Sequence, residues 1–137
     1  MFEVEGKPVG KGRPRFWNGH AVTPQTTRDY EKKVALAYKE CKLPLYETEP
    51  LEVEIIAKYP IPKQTKKADR LLMIERKIIP TKKPDIDNIA KIILDGLNGV
   101  AYTDDNQVCR LNVRKEYTNS TGSVLVTIKK INTELEE

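Results

Sequence analysis

The sequence predicts an α+β fold: a small mixed sheet of about four strands, two to three helices and a C-terminal β-hairpin, within a single domain over residues 1–137. Three observations carry this. Apolar and polar residues alternate near both ends of the chain and around residue 55. Three intervening stretches repeat apolar residues every three or four positions. Turn-forming residues separate the last two alternating runs. With 137 residues, 39% of them hydrophobic, the chain can bury one core.

Phe2-Glu3-Val4-Glu5 reads as a short strand stopped by Gly6 and Pro8. Gly10–Arg15 follows as a flexible basic loop ending in Phe16 and Trp17. Thr23-Pro24 has the form of a helix start, with Thr as the cap and Pro in the first helical position. Tyr30, Val34, Ala37 and Cys41 then carry a helix to about Cys41. Leu51, Val53, Ile55, Ala57 and Tyr59 share one face of a strand closed by Pro60 and Pro62. A second helix is predicted over Thr65–Ile79, ended by Pro80. Around 109–113 and 124–128 two strands alternate, with Asn119 and Gly122 between them, and these are the expected hairpin.

Composition excludes several classes. No apolar run approaches the roughly 18 residues of a membrane span. The stretch MFEVEGKPVGKGRPRF lacks the apolar core of a signal peptide. Cys41 and Cys109 have neither disulfide-framework nor metal-site spacing. A reduced, cytoplasmic protein with no membrane partner is expected. A single histidine, His20, argues against a His-rich metal site and against Ser/His/Asp chemistry.

Charge is unevenly distributed within the net +4. Lys7, Lys11, Arg13 and Arg15 precede His20 with no acid among them, and eight basic residues stand against Asp69 and Glu75 between Ile61 and Lys83. Acids gather at 47–54, 85–105 and 134–137. Separated basic blocks fit a polyanion partner. A solvated ionic surface accounts for the same pattern.

The most informative stretch begins at Asp85-Ile86-Asp87. In extended backbone, residues two apart point the same way, and two carboxylates so placed invite a divalent cation. The alternative is that Asp87 caps the helix that follows. In that helix Ile89, Ala90, Ile92, Ile93, Leu94, Gly96 and Leu97 form one broad apolar arc, leaving Asp87, Lys91, Asp95 and Asn98 in a polar seam. Lys91, about 6 Å along the axis from Asp87, reaches a phosphate bound there or simply pairs with Asp87. Asp95, about 12 Å away, is too distant to share an ion and takes a supporting role. Asp104-Asp105-Asn106 is turn material on its own. A short return of the chain would instead bring Asp104 or Asp105 back to the helix N-terminus, so that three carboxylates converge.

The run Asp85-Ile86-Asp87-Asn88-Ile89-Ala90-Lys91, with Leu94-Asp95-Gly96-Leu97 and Thr103-Asp104-Asp105-Asn106-Gln107-Val108, resembles the RusA family of Holliday junction resolvases, common in prophages. The likeness is densest over Lys82–Gln107. It implies a RusA-like fold and a homodimeric, Mg²⁺-dependent endodeoxyribonuclease (Mn²⁺ able to substitute) that cuts branched DNA, four-way junctions, by paired symmetric nicks in recombination and repair. It maps the catalytic, metal-holding carboxylates onto Asp85, Asp87 and Asp105, with Asp104 an adjacent metal candidate, and the catalytic lysine onto Lys91. Lys11, Arg13, Arg15, Lys63, Lys66, Lys67, Lys82 and Lys83 are the expected DNA-binding residues. Phe16 and Trp17 are candidates to stack on unpaired bases, or to pack in the core. The rival reading is a non-catalytic module that recognises branched DNA. An enzyme of small phosphorylated substrates ranks below both, for want of a Gly-rich phosphate cradle.

Overall fold

The computed structural model describes residues 1–132, so the acidic run at 134–137 lies outside the described residues. Strand β4 (Leu51–Pro60) is the centre. Its odd-numbered residues from Leu51 to Tyr59 are 0–3% exposed, whereas its even-numbered ones are half-exposed, so one sheet face is packed and the other wet. Both β4 edges are paired: antiparallel to β6 (Ser123–Lys130) and parallel to β5 (Val108–Thr118). β1 (Phe2–Glu5) adds to β6, completing a four-stranded mixed sheet in the order β1-β6-β4-β5.

The α+β class and the strand count are as predicted, but the last two strands are not a hairpin with each other. They straddle β4. Four linking residues span up to about 13 Å, enough to step across two strand spacings of about 4.8 Å. Gly122 makes the crossing possible. At φ +100°, it would place any Cβ 3.1 Å from the Lys58 carbonyl oxygen and from Pro60 Cδ. On β5, at the sheet edge, Cys109 and Leu111 are exposed rather than core-facing.

Helices α1 (Gln25–Glu40) and α3 (Ile86–Leu97) cover the packed face. α1 begins one residue later than predicted, with Pro24 rather than Thr23 at the cap position. Its buried stripe is Thr27, Tyr30, Val34 and Tyr38. Tyr38, not Cys41, closes the stripe: its ring lies edge-on to Phe2, with centroids 5.3 Å apart, and its hydroxyl donates to the Pro44 carbonyl. α3 buries the predicted arc, with Leu94 half-buried. A Cβ on Gly96 would meet the Glu31 carbonyl oxygen and Val34 Cβ, both at 3.1 Å, so glycine sets the close approach of the helices. The buried Tyr102 hydroxyl donates to the Leu94 carbonyl (2.6 Å), satisfying an acceptor of the last turn.

α2 (Lys67–Ile74) stops well short of Ile79 and buries no residue. It packs only lightly, against β5, and that contact does not carry its periodicity further. Arg76 turns left-handed at φ 64° while Lys77 and Ile78 both donate to the Leu72 carbonyl. The expected basic loop also differs. Residues Arg15–Trp17 (β2) and His20–Val22 (β3) form a small antiparallel hairpin. Its turn is Asn18-Gly19, both at positive φ.

Candidate functional site

The first acidic pair sits where the chain enters α3. Asp85 occupies the cap position in extended backbone (φ −69°, ψ 154°), with no side-chain capping bond. Asp87 lies in the first turn, exposed. Asp87 therefore does not cap the helix, while the helix dipole favours both charges there. The entry is held tightly. The Tyr59 hydroxyl donates to the Pro84 carbonyl (2.8 Å) and Lys11 N–H donates to the Asn88 carbonyl (2.9 Å). Gly10 lies so close that a Cβ would come within 2.7 Å of Pro84 Cβ.

The second pair belongs to a tight turn. Asp104 precedes a single 3₁₀ turn, Asp105–Gln107. The Gln107 side-chain oxygen accepts from the N–H groups of Thr103 and Asp104, and its amide donates to the carbonyls of Tyr46 and Glu49. Gln107, part of the sequence motif but given no role there, is thus the buckle of this loop. Burial, and then the adjoining Asp104, hold the Asp105 carboxyl above the usual carboxylate range. A hydrogen bond with the Asn98 side chain opposes them.

These two pairs do not converge within one chain. Asp105 adjoins Asn98 and Asp95, in the C-terminal half of α3. That is about 12–16 Å along the axis from Asp87. The cause is topological. β5 runs parallel to β4 with Val108 opposite Leu51, so the chain must return to the start of β4, whereas Asp85 is tied through Pro84 to Tyr59 at its end. Among the described residues no three His, Cys, Asp or Glu side chains are grouped to hold a metal ion. The expectation that the return brings Asp104 or Asp105 to the helix N-terminus is overturned for the single chain. The carboxylates have the hard oxygen chemistry that divalent cations take, but the two pairs stand apart within one chain.

The seam between the pairs holds a charge cluster. Lys11 Nζ bonds Glu31 (2.7 Å) and Asp95 (3.0 Å), with side chains only 18%, 21% and 23% exposed in that order. Burial alone would lower the Lys11 pKa, but the hydrogen bonds to Glu31 and Asp95 hold it above its ordinary 10.5. Lys11 is therefore not a free phosphate contact: two carboxylates already neutralise it, and it ties the N-terminal segment to α1 and α3. Lys91 lies 3.7 Å from Asp95 rather than pairing with Asp87, and its side chain is 62% exposed.

Of the other expected DNA-binding residues, Lys63, Lys82 and Lys83 line one cavity of about 880 Å³, joined by Lys7 and Arg70. Sequence reasoning placed Lys7 and Arg70 in basic blocks but not in a site. Arg13, Arg15, Lys66 and Lys67 are exposed elsewhere. Phe16 and Trp17 are 80% and 71% exposed, so neither packs in the core.

A family model described as Endodeoxyribonuclease RusA matches residues 5–129. The chain belongs to the RusA family. This RusA-family protein is accordingly an endodeoxyribonuclease, a hydrolase acting on DNA. It is also similar to a Bacillus subtilis (strain 168) protein named "Uncharacterized protein YqaN", 34% identical over 123 residues. That likeness covers 85% of this chain and 87% of the relative. Among the described residues, no helix of this RusA member is long and apolar enough to cross a membrane.

Proposed function

We propose that this RusA-family nuclease resolves four-way DNA junctions by paired symmetric nicks in recombination and repair. It acts as a single-domain, cytoplasmic homodimer with Mg²⁺, for which Mn²⁺ substitutes. The observation that carries the reading is the division of the acids. Asp85 and Asp87 stand at one end of the polar seam of α3, Asp104 and Asp105 at the other. In a two-fold contact, residue i of one copy meets residue j of the other and the reverse. Two α3 seams set antiparallel would bring the first pair of each copy to the second pair of its partner. Two equivalent carboxylate sets result, one for each strand of a symmetric substrate.

Asp85, Asp87, Asp105 and Asp104 would hold the cation, which when bound supplies an acidified water and charge neutralisation at the scissile phosphate. Lys91, exposed midway along the seam, offsets charge developing on the phosphate oxygens. Arg13, Arg15, Lys66 and Lys67 contact the backbone, making affinity fall with salt. Phe16 and Trp17, displayed on their hairpin, stack on bases freed at the branch point.

Mixing two inactive variants tests this reading. A heterodimer of Asp87→Asn with Asp105→Asn keeps one intact composite site. An equimolar, re-equilibrated mixture should therefore regain nicking of a four-way junction to about a quarter of the wild-type site count. Sites built within one chain give no recovery, and that result refutes the composite arrangement. Absence of Mg²⁺- or Mn²⁺-dependent nicking by the wild-type protein would favour the non-catalytic branched-DNA module.

A further inference from the structure

We propose that the cavity beside Pro84 receives one unpaired nucleotide, extruded from the branched DNA, and so sets which phosphate reaches Asp85. This rests on the branched-DNA reading above and names the part of the substrate that the site grips.

Size and shape come first. At about 880 Å³ the cavity, open to solvent on one side, has room for a nucleotide. Its floor is the strand end Tyr59–Pro62, where the rings of Pro60 and Pro62 lie over the largely buried Tyr59 and Ile61, Tyr59 being itself covered by Lys115. Its outer wall is the crossover loop Asn119–Thr121, the segment that steps over the end of β4.

Charge then selects the ligand. Lys7, Lys63, Arg70, Lys82 and Lys83 line the cavity, and among the described residues no carboxylate does. Among the described residues none of the five is in an ion pair. Five unneutralised cations around an apolar floor suit a ligand with an anionic backbone and a flat apolar body. A nucleotide has both. An apolar peptide lacks the charge, and a free phosphate leaves the floor uncovered.

The frame is also preorganised. The Arg70 guanidinium donates to the Asn119 side-chain oxygen and to the Pro62 carbonyl, both at 3.3 Å, joining the two walls. That orientation leaves the Asn119 amide hydrogens for an acceptor on a base edge. The Tyr59 hydroxyl fixes the Pro84 carbonyl at 2.8 Å. Pro84 is both a wall of the cavity and the immediate neighbour of Asp85. A nucleotide seated here therefore carries its backbone past the first acidic pair.

Stacked base pairs cannot fill a concave apolar site, so the base must leave the stack. Extrusion costs least where pairing is already lost, at the branch point. The cavity thus gives the enzyme a way to read junction structure, and the base identity at the cut, without groove contacts.

The test uses full-length protein and four-way junctions carrying 2-aminopurine at single positions around the crossover, with Ca²⁺ replacing Mg²⁺ for the fluorescence measurement. The wild-type protein should raise the fluorescence severalfold at one position next to the mapped nick. Thr121→Phe, which narrows the cavity mouth, should abolish that rise, retain junction affinity within about twofold and cut about tenfold more slowly. An abasic residue at that position should restore cutting by Thr121→Phe, because no base then needs room. Lys63→Gln, an exposed change that spares the fold, should weaken the rise in the same direction. A wild-type protein that nicks junctions but raises no fluorescence at any crossover position overturns the cavity inference and leaves the nuclease reading standing. So does a rise that Thr121→Phe leaves unchanged. A wild-type protein that does not nick junctions with Mg²⁺ overturns the parent reading instead.

Discussion

Replacing Lys11 with methionine separates a structural lysine from a DNA-binding one. The change keeps the apolar stem and removes the ammonium that bonds Glu31 at 2.7 Å and Asp95 at 3.0 Å. Hydrogen bonds to charged groups contribute about 1.5–3 kcal/mol each, net of exchange with water, when well shielded. Part of that is offset because all three side chains regain water unevenly. What remains is Glu31 beside Asp95 with only the largely exposed Lys91, 3.7 Å from Asp95, as counter-charge, which is the more damaging outcome of breaking a part-buried set. A net loss of about 2 kcal/mol is expected. For a chain of this size that lowers the melting temperature by roughly 6–10 °C. Thermal unfolding by circular dichroism measures it. In an Asp95→Asn, Glu31→Gln background the same substitution should cost far less, because no carboxylate is left unpaired. Junction affinity at a temperature where the variant is folded should change little. An unchanged melting temperature together with a salt-dependent drop in affinity would refute the reasoning and return Lys11 to the DNA surface.

Gly10→Ala should destabilise by about 1–3 kcal/mol, since the new Cβ would sit 2.7 Å from Pro84 Cβ and 3.1 Å from Asn88 Cβ. It should also slow nicking beyond its effect on folding, because a shift of Pro84 carries Asp85; single-turnover rates at matched folded fraction check this. Asp87→Asn should abolish cleavage yet leave junction binding in EDTA as strong or stronger, because one charge that repels phosphate is gone. Band-shift titration decides it, and joint loss of binding and cleavage would make Asp87 structural. Burial pushes the Tyr38 and Tyr59 phenols up to about 12, and those of Tyr30 and Tyr102 upward as well. Above pH 10 the unfolded chain releases these protons first, so stability should fall steadily as pH climbs towards 12. Phenolate absorbance rising together with loss of circular dichroism would show it.

The β4 strand and the α3 helix were legible because each is strongly periodic and buried on a continuous face, so local pattern and tertiary packing agree. The small hairpin was missed although Asn18-Gly19 is a strong turn signal. Its flanks, Arg15–Trp17 and His20–Val22, are too short and exposed to show alternation. α2 was overextended because Leu71, Leu72 and Ile78 look periodic, yet Leu71 is exposed and the other two are only half-buried, so packing does not carry the helix on. The site was readable by residue type and not by position. Spacing placed Lys91 and Asp95 on one seam, but no local pattern reveals that β5 joins β4 in parallel, and that pairing is what sends Asp104 and Asp105 to the far end of α3. The Lys11–Glu31–Asp95 cluster was equally hidden, since its members come from three segments.

The crossing of Asn119–Gly122 over β4 has a consequence for how the chain acquires its shape. Phe2 pairs with Val126 and Ile55 with the same residue from the other side, so β1 joins the sheet only once β6 is in place. Until β6 emerges from the ribosome, β1 lacks its strand partner and β4 shows an edge of unpaired backbone groups. Such long-range closure slows assembly and leaves nascent protein open to intermolecular strand exchange. Lesions in β6 should therefore damage yield in cells more than their effect on the finished fold would suggest.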